Sequence, residues 1–143
     1  MSLIVQKYGG TSVGSTTRIR AAAAQIAALR TAGHGVAVVV SAMGDSTDRL
    51  LDLARELAPE PPARELDALL ATGEMVSTAL VATALASVGC PARSYNALQL
   101  PLDTTGRHGR ARITGIEAGP LRADLAQGIV PVVAGFQGRA PDG

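Results

Sequence analysis

At 143 residues the chain holds one domain at most, and a hydrophobic content of 47% suffices for a buried core, although 2% aromatic residues mean that Val, Leu, Ile and Ala must build it. A net charge of +1 excludes the large basic excess that general nucleic-acid or membrane-surface binding needs. The single cysteine, Cys90, excludes an intramolecular disulfide and a thiolate metal cage, in keeping with a reducing compartment.

In chain order, Leu3 to Gln6 reads as a short buried strand; the apolar run there is too brief for a signal-peptide core. Thr16 to Thr31 reads as a helix with Ile19, Ala22, Ala23, Ile26 and Leu29 on one face, capped by Ser15 or Thr16 and ended by Gly33 and Gly35. Val36 to Ser41 is a continuous run of mainly β-branched residues, the signature of a central parallel strand. A second helix is expected from about Thr47 to Leu57, stopped by Pro59, Pro61 and Pro62. Glu65 to Val88 reads as one long or twice-broken helix with Gly73 as a candidate kink, yet no run is expected to reach membrane-spanning length. Ala92 to Ala97 and Arg110 to Ile113 are weaker strand candidates, Leu121 to Ala126 a short helix, and Val130 to Gly135 a last apolar strand. Strand and helix alternate, which predicts an α/β fold: a parallel sheet with helices on both faces, in three layers. A strand edge or sheet face left open is expected after Val130 to Gly135.

Ligands of such sheets sit at the carboxyl ends of the strands, where Lys7, Ser41 and the loop after Val133 fall. Lys7-Tyr8-Gly9-Gly10-Thr11-Ser12 joins a strand to a helix. Its glycines let backbone N–H groups approach an oxyanion and Lys7 adds a mobile charge, a pattern for phosphate binding that a purely structural turn also satisfies. It has neither the Walker nor the dinucleotide spacing. Ser41 offers a hydroxyl to a phosphate or carboxylate, or is a turn residue. Asp45, Ser46, Thr47 and Asp48 read as a helix N-cap cluster. Glu74 lies in an otherwise apolar segment, so its carboxylate is expected to be paired. Thr104 to Arg112 gathers three arginines and His108 in a glycine-rich loop, read as a solvated loop or an anion site. No zinc-ligand spacing and no serine-hydrolase elbow occur.

Four segments in order, Lys7 to Ser12, Val38-Val39-Val40-Ser41-Ala42-Met43-Gly44-Asp45, Leu70-Ala71-Thr72-Gly73-Glu74 and Val133-Ala134-Gly135-Phe136-Gln137-Gly138, resemble the aspartokinases, of the amino-acid-kinase fold. The resemblance implies ATP-dependent phosphorylation of L-aspartate to 4-phospho-L-aspartate, with Mg²⁺ arriving on ATP and no resident metal. It places Lys7 on the ATP phosphates as the catalytic cation, with Tyr8, Gly9, Gly10 and Ser41 beside it. It places Asp45, Ser46, Thr47, Asp48 and Arg49 at the aspartate site, Arg49 standing where relatives often carry an acid, and Glu74 in amino-acid recognition. It also implies that residues 1–143 are the amino-terminal portion of the kinase domain, without the family's Arg-Gly-Gly-Ser-Asp segment or ACT domains. The isolated chain is therefore expected to be inactive, completed by another polypeptide or self-associated. The expected location is the cytoplasm, with no nucleic-acid or membrane partner. A non-catalytic amino-acid- or partner-binding module, half of a split kinase, and a kinase acting on glutamate, carbamate or a nucleotide are the competing expectations.

Overall fold

The structure is a computed structural model and describes residues 2–142. In chain order the elements are β1 (Leu3–Tyr8), α1 (Thr16–Thr31), β2 (Gly35–Val40), α2 (Ser46–Leu57), α3 (Ala63–Ser87), β3 (Ala92–Tyr95), β4 (Leu102–Thr104), β5 (Ile113–Ile116), α4 (Gly119–Ala126) and β6 (Val130–Ala134). Strands β1, β2, β6 and β3 form a parallel sheet in that order, and β4 pairs with β5 in a separate antiparallel ribbon. The α/β class and the parallel sheet are as the alternation predicts.

Register explains the layers. Ile4 lies opposite Val36, Gln6 opposite Val38 and Tyr8 opposite Val40, while Val38 and Val40 pair with Val132 and Ala134. Side chains alternate across a strand, so these residues share one face. Val36, Val38, Val40, Val130 and Val132 on that face are fully buried together with Ile26 of α1 and Val81 and Leu85 of α3. Helix α1 begins with Ser15 accepting from the Arg18 amide, the expected cap.

The other face carries α4. Asp124, 1% exposed, accepts from Arg93 Nη1 at 2.6 Å and from the Tyr95 hydroxyl at 2.7 Å, which ties α4 to β3. Arg30 at the end of α1 donates to the carbonyls of His34 and Gly128, fixing the turn between α4 and β6. Leu3 and Val5 on the same side of β1 stay exposed.

Several expectations change. Strand β6 lies between β2 and β3, so β1 and β3 are the sheet's edge strands. Helix α3 is unbroken, and Gly73 marks a close approach, since a Cβ there would lie 2.9 Å from the Ala42 Cβ. Helix α3 has 25 residues and includes an 18-residue stretch of mean hydropathy 1.5, so it is also long and apolar enough in composition to cross a membrane, contrary to the sequence reading. Its packing against the sheet through Gly73, Ser77, Val81 and Leu85 gives that composition a core role. The strand expected at 110–113 begins only at Ile113. Its partner β4 has no strong local pattern and is held by Arg139, whose carbonyl accepts from the Thr104 amide and whose guanidinium pairs with Asp103 at 2.7 Å.

Candidate functional site

The loops leaving β1 and β2 are interlocked at the carboxyl end of the sheet. The Ser41 amide donates to the Tyr8 carbonyl and the Gly44 amide to the Gly10 carbonyl, each at 3.0 Å. Gly10 is required by space: a Cβ there would lie 2.8 Å from the Ala42 carbonyl oxygen. Gly44 is required by conformation, with φ of +51°. Gly10→Ala is therefore expected to lower stability by about 1–3 kcal/mol, as overpacking does, because the Ala42 oxygen that the Cβ would strike is backbone and cannot rotate away. Urea unfolding beside Gly9→Ala, whose Cβ meets nothing within 4 Å, checks this.

This scaffold places Lys7 Nζ 3.3 Å from Ser41 Oγ. The two residues, 34 positions apart in sequence, form one exposed cluster at the strand ends. Tyr8 points to the opposite side of β1, where its hydroxyl donates to Gln6, so only the Tyr8 backbone adjoins Lys7. Burial pushes the Tyr8 phenol above its ordinary pKa.

Asp45 through Arg49 open α2 beside the same loop, but the expected capping cluster is absent. Asp45 occupies the cap position without a side-chain cap hydrogen bond, and the Ser46 hydroxyl turns back to the Met43 carbonyl. Backbone bonds of the 43–46 turn compete successfully with capping. The first-turn N–H groups of α2 therefore remain directed towards the loop end with no side-chain acceptor on them.

Glu74 sits below this loop on α3, 5% exposed, with Oε1 accepting from the Ala42 amide at 3.3 Å. Gly73 permits the contact by bringing α3 against Ala42. Burial raises the Glu74 pKa, and hydrogen bonds from its own amide and that of Ala42 pull it partly back. The folded state thus holds the proton more tightly than the unfolded chain. Stability that Glu74 contributes below its unfolded pKa is lost as pH rises through the higher folded value. Glu74→Gln is expected to flatten that part of the pH–stability curve, measured by urea midpoints between about pH 4 and 8.

The Gly135-Phe136-Gln137 turn reaches the same end of the sheet, as expected of the loop after Val133, although the sequence reading gives none of its residues an individual role. A Cβ on Gly135 would lie 2.9 Å from the Val40 carbonyl oxygen, and Phe136 is 90% exposed with φ of +56°. The Gln137 side chain accepts from the Ala97 amide and donates to the Ala71 carbonyl, joining the loops after β3 and β6 to α3 one turn before Glu74. The apolar strand ending in Gly-Phe-Gln-Gly was the available signal. His108 instead lies against the start of α3, its Nδ1 3.1 Å from Asp67, so the arginine-rich loop is docked by side-chain contacts away from Lys7. A hollow of about 510 Å³ is lined by Asp103, Gly115, Glu117 and Arg122 and contains none of the clustered residues.

A cation, a hydroxyl and close-packed glycine backbone meet at parallel strand ends, and the family model for amino acid kinases matches residues 2–143. The chain belongs to the amino acid kinase family. It is 53% identical to the aspartokinase of Mycolicibacterium smegmatis over 142 residues, 99% of this chain and 34% of that protein. It is 50% identical to the aspartokinase of Thermus thermophilus over 143 residues, 100% of this chain and 35% of that one. The chain thus spans about a third of the length of these curated relatives. Among solved structures, the aspartate kinase of Synechocystis matches with TM-score 0.76 and 44% identity, covering 94% of this chain and 22% of that one. The fold is shared with the more distant carbamate kinase of Giardia, at TM-score 0.72 and 13% identity, over 96% of this chain and 61% of that one. In this amino acid kinase chain, the strand-end cluster is the common meeting point of the four segments singled out in the sequence.

Proposed function

We propose that this chain carries the phosphate- and amino-acid-binding portion of an aspartokinase, which phosphorylates the side-chain carboxylate of L-aspartate from ATP to give 4-phospho-L-aspartate. The reaction opens the branch towards lysine, threonine and methionine, in the cytoplasm. The observation that carries this reading is the Lys7–Ser41 contact on interlocked glycine loops, with Glu74 directly beneath. Identity near 50% to aspartokinases supports aspartate over other acceptors.

The acceptor carboxylate is ionised near neutral pH and needs no general base. The obstacle is bringing that anion to an anionic γ-phosphoryl group, so positive charge and N–H donors must oppose the repulsion and align the two groups. We assign Lys7 to the transferring phosphoryl group, the Gly9 and Gly10 amides to nucleotide phosphates, Ser41 to the same oxygens, and the start of α2, from Asp45 to Arg49, to the acceptor. We assign the Mg²⁺ to the nucleotide phosphates, with which it arrives. Glu74 in its ionised form pairs with the substrate ammonium, whose charge offsets the burial that otherwise favours the protonated acid.

The test uses a chimera in which residues 2–142 replace the matching segment of the Mycolicibacterium smegmatis aspartokinase. Glu74→Gln is expected to raise KM for aspartate at least about tenfold, the loss of one charge-assisted bond, while KM for ATP stays within about twofold. Equal rises for both substrates would remove Glu74 from amino-acid recognition.

A further inference from the structure

Three successive carbonyls of the loop after β1 are each held by a donor. The Gly9 carbonyl accepts from the Ser12 amide at 2.9 Å, the Gly10 carbonyl from the Gly44 amide at 3.0 Å, and the Thr11 carbonyl from Arg18 Nη1 at 2.6 Å. In a planar trans peptide the C=O and the following N–H point opposite ways, so a held carbonyl aims the next amide. The Arg18 contact therefore aims the Ser12 amide, which closes on the Gly9 carbonyl, and the held Gly9 carbonyl in turn aims the Gly10 amide out of the turn. Among the described residues the Gly10 amide has no protein acceptor.

Arg18 is a costly choice for helix α1 itself. It is the third residue of the helix, its amide donating to the Ser15 cap, where a glutamate or glutamine would complete a capping box. A cation there faces the positive end of the helix dipole, and the first turn holds no acid to offset it. The side chain is exposed, so its single bond adds little to global stability. Its effect is on the loop. Thr11 and Ser12 are exposed, and a hollow of about 210 Å³ is lined by Tyr8 and Ser12 together with Arg18, Ala21, Ala22 and Gln25 of α1. Side-chain packing therefore does not fix this stretch from the helix side, and the guanidinium reaches back to it instead. A residue unfavourable to its own helix and bonded to a glycine loop marks a local rule broken for the sake of a site.

We propose that Arg18 is a positioning residue of the phosphate loop: by holding the Thr11 carbonyl it sets the chain of peptide planes that aims the Gly10 amide at the nucleotide phosphates, without touching the nucleotide. The inference rests on the reading of this loop as the nucleotide site. Preorganising a donor in this way lowers the cost of ordering it when ATP binds, so its loss falls on ATP and not on aspartate.

The test uses the chimera with the Mycolicibacterium smegmatis aspartokinase. Arg18→Ala is expected to speed amide hydrogen exchange in the segment from Gly9 to Gly14 at least about tenfold, read by mass spectrometry, while β1 and β2 exchange as before. KM for ATP is expected to rise at least about fivefold, with KM for aspartate within about twofold. Arg18→Lys, whose ammonium still donates to the Thr11 carbonyl, is expected to restore both the loop protection and KM for ATP. Loop exchange that is unchanged in Arg18→Ala overturns the proposal, as does faster exchange with KM for ATP unaltered. A lysine that restores KM for ATP while the loop still exchanges fast also overturns it, because the charge would then act on the phosphates directly. Lys7→Ala in the same chimera separates the two levels. Activity lost in Lys7→Ala with both KM values intact in Arg18→Ala removes the role of Arg18 alone, whereas full activity in Lys7→Ala removes the nucleotide-site reading and this inference with it.

Discussion

Asp124→Ala is expected to lower the unfolding free energy by about 2–3 kcal/mol, the largest stability loss among single polar substitutions in this chain. The carboxylate is 1% exposed and accepts two hydrogen bonds from β3, one charged and one neutral. Removing it leaves the Tyr95 hydroxyl, on a residue 6% exposed, without its acceptor in an apolar setting. Arg93 loses less, because its side chain is 57% exposed and turns to water. The order of effects follows: Asp124→Asn, which keeps one oxygen acceptor, costs less than Asp124→Ala, and Tyr95→Phe, which leaves Asp124 with Arg93, costs least. Urea unfolding of the three variants checks both magnitude and order. A loss below about 1 kcal/mol for Asp124→Ala would mean that the pair contributes little beyond what water supplies.

Lys7→Ala, carried in the chimera with the Mycolicibacterium smegmatis aspartokinase, is expected to reduce kcat by at least about 100-fold. Removing a single preorganised donor to developing charge typically has an effect of this size. The ammonium is held 3.3 Å from Ser41 at the strand ends, so it is positioned before any ligand arrives. Lys7→Arg is expected to recover little, because a planar fork does not reproduce a compact point charge against the tightly packed Gly10 and Ala42 loops. Steady-state kinetics separate the outcomes. A rise in KM for ATP with kcat intact would assign Lys7 to nucleotide binding alone.

The sequence exposes the parts of this fold whose signals are local. Val36 to Val40 reads as a buried strand because β-branched residues fill it, and α1 reads correctly because its apolar spacing and Ser15 cap are contiguous. Pairing is not local: the position of β6 between β2 and β3 depends on contacts nearly a hundred residues apart, and no pattern in Val130 to Ala134 distinguishes an inner strand from an outer one. Strand β4 escaped notice because Arg139 holds it from 35 residues away. At the site, Lys7, Ser41 and Glu74 were legible as a cation, a hydroxyl and an acid at the ends of apolar segments. The Ala42 amide facing Glu74 and the left-handed Phe136 were not, because a backbone partner and a φ angle leave no mark on residue type. The Asp45 to Asp48 cluster misled for a related reason: its composition favours a cap, and the adjacent turn captured Ser46 instead.

The measurement that bears most directly on the account is ADP release by the chimera with Mg-ATP, compared across L-aspartate, L-glutamate and no acceptor. The account predicts turnover that depends on aspartate, falls at least about tenfold with glutamate, and disappears in Lys7→Ala. A folded chimera that releases no ADP with aspartate, or that turns over equally with Lys7 replaced, would contradict it and leave the strand-end cluster as a binding site without phosphoryl transfer.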